Sequence, residues 1–305
     1  MNIISTLIFS HPSLGYNKAD IKFPINMETK YPMNGSGLCN QIFRVINVIS
    51  LIRDENVYFD LFCKDIMTGE MIELSSIVDL DEMKNKYGYN IQDITKFNQQ
   101  DSFQVYDNHY VFMTYDRDKI KFKEVVNNII WNNKYEELSK KIILDKNLDS
   151  KLINLIHLRI DKDYREHVMG YRNSDEEDYT TQYWKNRELA YYELIDRYRK
   201  EIYNNCDKSM PLVILMDDVN HDFVQELKKD YEVIFFERET VLKYQSDING
   251  RELFALVDLL IGKNLNVNNF IGLETEKPLV DGNKHVSSFS VLLKYLTGAK
   301  KITMI

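Results

Sequence analysis

Leu152-Ile153-Asn154-Leu155-Ile156-His157-Leu158-Arg159-Ile160-Asp161 is the stretch that decides the fold. Its apolar residues run from Leu152 to Ile160, interrupted by Asn154, His157 and Arg159, which reads as an apolar strand whose end carries His157 and Arg159 before Asp161. Working outward, Leu212–Met216 and Glu232–Phe236 read as further strands. The segments Gln182–Tyr203, Phe223–Lys229 and Arg251–Ile261 carry helical spacing, and Val267–Gly272 precedes a last helix over Ser287–Leu296. Strands that alternate with helices imply a parallel sheet covered by helices. Such sheets bind ligands beyond the carboxyl ends of their strands, where the charge-dense loop Asp161–Thr181 falls.

The first half is less regular. Ile3–Phe9 reads as a strand. A loop punctuated by Pro12, Gly15, Pro24 and Pro32 then leads to Gly35-Ser36-Gly37, with a helix from Leu38 to Arg53 and a strand over Val57–Phe62. Lys64–Lys123 reads as irregular with short elements only, and Trp131–Asn147 as a helix that ends the first domain. A chain of 305 residues holds about two domains, here 1–148 and 149–305.

Composition narrows the function classes. With 44% hydrophobic and 28% charged residues the chain is a folded globular protein, and its net charge of −8 disfavours nucleic acid and anionic membrane surfaces. Any anionic ligand therefore requires a local positive pocket. Cys39, Cys63 and Cys206 lie far apart without metal or disulfide spacing, which fits a reducing compartment. Ile3–Phe9 has no basic residue before it, and no window approaches the ~20 apolar residues of a membrane span. The expectation is a cytoplasmic protein without a membrane span.

Three constellations could carry chemistry. Gly35-Ser36-Gly37-Leu38-Cys39-Asn40-Gln41 stands at a loop-to-helix junction. It reads either as a tight turn with an amide cap or as a loop whose free N–H groups receive an anion. His157 and Arg159 point the same way at a strand end, with Asp161 and Asp163 following. The arginine is either a surface ion-pair partner or a two-pronged grip for a diphosphate. Val286-Ser287-Ser288-Phe289-Ser290 starts the last helix, either as an ordinary serine cap or as a phosphate site with an aromatic beside it.

Taken in order, these segments resemble the GDP-fucose-dependent fucosyltransferase superfamily, protein O-fucosyltransferases and bacterial-type fucosyltransferases in particular. Gly37-Leu38-Cys39-Asn40-Gln41 is similar to its Gly-x-Gly-Asn-Gln loop, with Cys39 where glycine is usual. His157, Arg159 and Asp163 match its His-x-Arg motif with a following acid. Phe270-Ile271-Gly272 and Ser287-Ser288-Phe289-Ser290 match its last motif, across a longer gap from Leu273 to Val286. Many relatives place an Asp two residues before that phenylalanine to grip guanine, and Asn268 stands there.

The resemblance implies a GT-B-like fold, two Rossmann-type α/β domains facing a cleft, with acceptor loops on the first and the nucleotide on the second. It implies an inverting, metal-independent glycosyltransferase that moves a deoxyhexose, L-fucose from GDP-fucose, to a glycan hydroxyl. No cofactor beyond that nucleotide-sugar donor is expected. Arg159 and Asn40 would be catalytic. Gly37, Gln41, His157, Asp163, Asp217, Asn268, Ser287, Ser288, Phe289 and Ser290 would hold the donor, with Asp60 or Asp65 as candidate bases. Two other classes stay open: a non-catalytic nucleotide- or glycan-binding module, and a metal-dependent transferase using Asp161-x-Asp163 or Asp79-x-Asp81. Tyr191, Leu194 and Tyr198 read as a core-facing helix face, and His11, His109, His167, His221 and His285 as ordinary residues without partners at triad or metal spacing.

Overall fold

Glu28–Tyr31 (β1), expected within a loop, is an inner strand of a four-stranded parallel sheet. Glu-Thr-Lys-Tyr lacks a strand's apolar alternation, so the strand is fixed by its two neighbours rather than by its own residues. The computed structural model describes residues 28–31, 37–51, 57–59, 63–65, 67–93, 103–105, 119–162, 164–165, 181–216, 218–248 and 250–305. The expected strand Ile3–Phe9, the loop with Pro12, Pro24 and Pro32, Gly35, Ser36, Asp60, Asp163, Asp217, His11, His109 and His167 lie outside the described residues.

Helix α1 (Leu38–Leu51) follows β1 and leads to strand β2 (Val57–Phe59). A short antiparallel hairpin, β3 (Cys63–Lys64) and β4 (Met71–Ile72), precedes α2 (Leu74–Ile77) and α3 (Leu80–Tyr87). Strands β5 (Ile91–Asp93) and β6 (Phe103–Val105) complete the first sheet in the order β5-β2-β1-β6. Both lie in the stretch expected to be irregular, at three residues each too short to show a period. Helices α4 (Lys119–Asn127) and α5 (Asn133–Asp145) end this half. Although expected to close the first domain, α5 packs against helices of the second half, and Lys134 pairs with Asp247 at 2.7 Å.

The second half runs β7 (Ile153–His157), α6 (Thr181–Asn205), β8 (Leu212–Leu215), α7 (Asp222–Leu227) and β9 (Val233–Ile234). It continues through α8 (Arg238–Tyr244), α9 (Arg251–Asn264), β10 (Val267–Gly272), α10 (Ser288–Leu296) and β11 (Lys301–Met304). All five strands pair in parallel, in the order β11-β10-β7-β8-β9. Central β7 is buried at every residue, as a strand covered on both faces must be. Its faces divide by parity. Ile153 and Leu155 join one apolar cluster with α9 and α10, whereas Ile156 joins another with α6 and α7. Asn154 is tolerated inside because Asn269 Nδ2 donates to its Oδ1 at 2.9 Å and its own Nδ2 donates to the Asp207 carbonyl.

The first apolar cluster also contains α1, which packs on α4, α9 and α10. Phe43 and Phe122 rings lie 4.5 Å apart, and Phe122 and Tyr295 rings 5.9 Å, so one core links α1 to the last helix. That shared core sets the start of α1 opposite the carboxyl edge of the second sheet.

Candidate active site at the carboxyl edge of the second sheet

A cavity of about 320 Å³ opens at this edge, lined by Gly37–Asn40, His157–Arg159, Asp161, the first turns of α9 and Ser287–Phe289. With Leu215 and Met216 at the end of β8, five separate parts of the chain meet in one place, and three of them are the constellations singled out in the sequence.

At the start of α1 the Leu38 N–H donates to Glu252 Oε2 at 2.6 Å. The Asn40 and Gln41 N–H groups close the first turn on the Gly37 carbonyl at 3.0 and 3.2 Å. A Cβ on Gly37 would stand 3.3 Å from the Glu252 carboxylate, so the glycine permits this close approach. Asn40 reaches across the cavity, where the Ser288 hydroxyl donates to its Oδ1 at 2.7 Å. Burial and then the Glu252 charge push the Cys39 thiol far above its ordinary value, and burial pushes Cys63 up to about 12; neither is a thiolate nucleophile.

Arg159 lies two residues beyond β7, 27% exposed in its side chain, with Nη1 donating to Asp161 Oδ2 at 2.6 Å. Its guanidinium carbon sits 5.4 Å from the centre of the Tyr164 ring. Tyrosines of α6 fix the backbone around it. The Tyr198 hydroxyl donates to the His157 carbonyl at 2.9 Å and accepts from the Arg159 N–H at 3.3 Å, and the Tyr191 hydroxyl donates to the Ile160 carbonyl at 2.8 Å. The helix face expected to meet the core therefore also holds the strand end that carries the arginine.

His157 is buried, and burial together with the Arg159 charge pulls its pKa down to about 3, so the ring is neutral. The Ser290 hydroxyl accepts from the Leu273 N–H at 2.9 Å and shares a hydrogen bond with His157 Nδ1 at 2.6 Å, which fixes the orientation of the ring. The ring stacks on Phe289, centroids 4.4 Å apart. Ser287 caps α10, accepting from the Ser290 N–H. The cavity thus receives the Arg159 guanidinium and the amino ends of α1 and α10, groups that favour an anion, while Asp161, Glu252 and Asp258 bring negative charge to the same lining and Arg251 brings a second cation.

Not every singled-out residue is there. Gln41 is buried in α1, where its Oε1 accepts from Arg44. Ser290 stands behind the cavity and acts on it through His157. Asn268 is the second residue of β10, at a register shift against β7 and four residues from the cavity edge, about 13 Å at a strand's rise of ~3.3 Å per residue. Asp65 is buried at the amino end of α9, accepting from the N–H groups of Met67, Thr68 and Glu252 at 2.8–2.9 Å. Burial raises its pKa, but these bonds outweigh it and hold the carboxyl below its usual range, which suits a cap rather than a base.

Of the acidic pairs, Asp79 caps α3 by accepting from the Glu82 N–H, and Asp161 is bonded to Arg159 and to the Tyr164 N–H. Among the described residues no group of three or more His, Cys, Asp or Glu is arranged around a metal position. His221 and His285, read as ordinary residues, each have polar partners: His221 caps α7 and meets the Tyr191 hydroxyl at 3.0 Å, and His285 meets Tyr164 and Asp281. Sequence reading missed Glu252 and Asp258, because acids in a helix that is otherwise apolar form no motif; only their placement with Arg251 and Ala255 on one helical face foreshadows the cavity wall.

No protein-family model matches the chain, and neither does any curated protein sequence. Among solved structures it is similar to POFUT1 in complex with GDP-fucose, at 12% identity and a TM-score of 0.52, over 91% of this chain and 98% of that one. It is similar to the NodZ alpha-1,6-fucosyltransferase co-crystallised with GDP, at 8% identity and a TM-score of 0.51, over 88% of this chain and 93% of that one. The fucosyltransferase NodZ from Bradyrhizobium gives 11% identity and a TM-score of 0.50 over the same shares. The likeness is one of fold: the chain has the GT-B-like α/β architecture of these fucosyltransferases, as its motifs led one to expect. Among the described residues no helix is long and apolar enough to cross a membrane.

Proposed function

We propose that the protein is an inverting glycosyltransferase that moves a deoxyhexose, L-fucose from GDP-fucose, to a hydroxyl of a glycan acceptor. The observation that carries this reading is the Arg159 guanidinium held beyond the carboxyl end of β7, in a cavity that the amino ends of α1 and α10 also enter. As the sugar leaves a nucleoside diphosphate, negative charge grows on the β-phosphate, and donors already in place stabilise it without reorganisation. Arg159 would take that phosphate by two parallel bonds. Ser288, the α10 N–H groups and the Asn40 amide would complete its shell.

Phe289 and the neutral His157 supply an apolar wall beside the phosphate shell, which spares Arg159 a competing cation. A guanidinium and two helix ends can do the electrostatic work of a divalent ion, which supports a metal-independent mechanism. Guanine as the base and fucose as the sugar rest on the motif resemblance and on the fold shared with structures holding GDP-fucose and GDP.

The test is thermal unfolding with GDP, GDP-fucose, UDP, UDP-sugars and dTDP. A ligand at 100 times its Kd adds about 2.7 kcal/mol to stability. GDP compounds should raise the Tm most; a larger shift with UDP or dTDP compounds refutes the donor assignment and leaves the fold untouched.

A further inference from the structure

The segment between β10 and α10, longer than the resemblance leads one to expect, folds into a strap. Glu274 bridges Val286 antiparallel, and Thr275 and His285 exchange two bonds: the Thr275 N–H donates to the His285 carbonyl at 2.9 Å, and the His285 N–H donates to Thr275 Oγ1 at 2.8 Å. The strap lies along α6. Arg197 donates to the carbonyls of Lys277 and Pro278, Glu193 accepts from the Val280 N–H at 2.8 Å, and Leu279 is buried in the second apolar cluster.

This tethering delivers His285 to the outer end of Tyr164, with 2.7 Å between Nδ1 and the hydroxyl and 3.3 Å between Nε2 and Asp281 Oδ2. The Asp281 and His285 side chains are 3% and 11% exposed, so water competes little for these bonds. Burial raises the Tyr164 pKa, which keeps the phenol protonated and able to share a hydrogen bond with Nδ1, while Nε2–H donates to the Asp281 carboxylate. The bonds of Asn283, helped by His285, hold Asp281 ionised against the effect of its burial. The inner end of Tyr164 meets the active site twice: its ring faces the Arg159 guanidinium, and its N–H donates to Asp161, the carboxylate bonded to that same guanidinium.

We propose that His285, carried by the strap, is a positioning residue for Arg159: the chain Asp281, His285, Tyr164 fixes the aromatic face and the carboxylate that hold the guanidinium in its diphosphate-binding pose. The ligand part of this inference rests on the function proposed above. The physical ground is that a guanidinium grip is directional, so its strength depends on how few poses the side chain samples before the ligand arrives.

The test compares wild type with His285→Ala, Tyr164→Phe, the double variant and His285→Asn, each shown to be folded by circular dichroism. Two readouts are taken: hydrogen exchange of the peptide spanning 158–165, and the Kd for GDP. His285→Ala and Tyr164→Phe should each speed exchange in that peptide and raise the Kd about threefold to thirtyfold, as for loss of a hydrogen bond that orients a ring against a cation. The double variant should be no worse than the worse single. His285→Asn, which retains an acceptor near the Nδ1 position, should recover most of the loss. Unchanged exchange in 158–165 overturns the inference, and so does an unchanged Kd in a protein whose GDP binding depends on Arg159. A wild type that binds no nucleoside diphosphate refutes the proposed function instead, and exchange then decides by itself whether the strap orders Arg159.

Discussion

Ser288 and Asn40, 248 positions apart in the chain, meet through a 2.7 Å hydrogen bond across the mouth of the cavity. The bond links the first turn of α1 to the first turn of α10, the two helix ends that would receive the diphosphate. Each side chain satisfies the other, so neither has to be stripped of water afresh when an anion enters, and both stay aimed at the same volume.

The pair should therefore act as a unit. Asn40→Ala and Ser288→Ala should each lower kcat/KM for the donor about tenfold to a hundredfold, and the double variant should lose less than the product of the two, because residues in contact couple by ~0.5–3 kcal/mol. A double-variant cycle on kcat/KM measures this. Strictly multiplicative losses would show that the two residues work apart.

Transfer should persist in EDTA. On the proposed reading Arg159 and the helix ends would supply positive potential where the leaving group develops charge, and Asp161 is engaged with Arg159 and the Tyr164 N–H. Initial rates before and after chelation, with Mn²⁺ added back, check it: loss on chelation and recovery with Mn²⁺ would give the aspartates the metal role and remove the guanidinium-based mechanism.

In the second sheet β7, β8 and β10 are legible because they are largely buried and carry apolar runs, and β10 has the expected bounds, whereas the edge strand β11, exposed to half-buried, is not among the expected strands. The first sheet is not legible, because β1, β5 and β6 have three or four residues and take their conformation from their neighbours. The same division holds for the cavity. Residues in short ordered motifs, Asn40, Arg159 and Ser288, could be named beforehand. Glu252 and Tyr164 could not, since their parts depend on contacts 214 and 121 positions away that no local pattern encodes. Asn268 shows the converse: its spacing from Phe270 matches the motif, but two residues toward the amino end of β10 lead away from the carboxyl edge where the cavity opens.

Asp65 should prove structural. Asp65→Ala leaves the buried Glu252 N–H unpaired and frees the turn at Met67 and Thr68, a loss of about 2–3 kcal/mol given ~1–3 for each buried donor left unsatisfied. Its folded pKa is depressed, so the carboxylate's contribution is complete above the unfolded value near ~3.9 and disappears as pH falls through the folded value. Urea unfolding at pH 6 and pH 3 should show the gap between wild type and Asp65→Ala narrowing in acid. Asp65→Asn should keep kcat within about threefold, whereas loss of a general base costs ~10²–10⁴; a fall of that size would restore Asp65 as the base.

Arg159 carries the heaviest prediction. Arg159→Ala should abolish transfer while the protein stays folded, and Arg159→Lys should not restore it. The argument begins with the leaving group, whose extra charge in the transition state must meet donors already oriented toward it. Removing one preorganised donor costs on the order of 10²–10³ in kcat, and a charged two-pronged donor belongs at or above the top of that range. Lysine keeps the charge, but a compact ammonium on a flexible stem cannot present two parallel bonds as a guanidinium can. The competing account treats Arg159 as the ion-pair partner of Asp161 and nothing more. With side chains 27% and 9% exposed the pair is partly buried, so on that account the cost of its loss falls on stability and leaves turnover nearly intact. Measuring kcat for wild type and both variants with the donor that stabilises best, with circular dichroism as the control for folding, separates the two accounts. A fall of less than about tenfold in Arg159→Ala, ~1.4 kcal/mol, would take the arginine out of the mechanism.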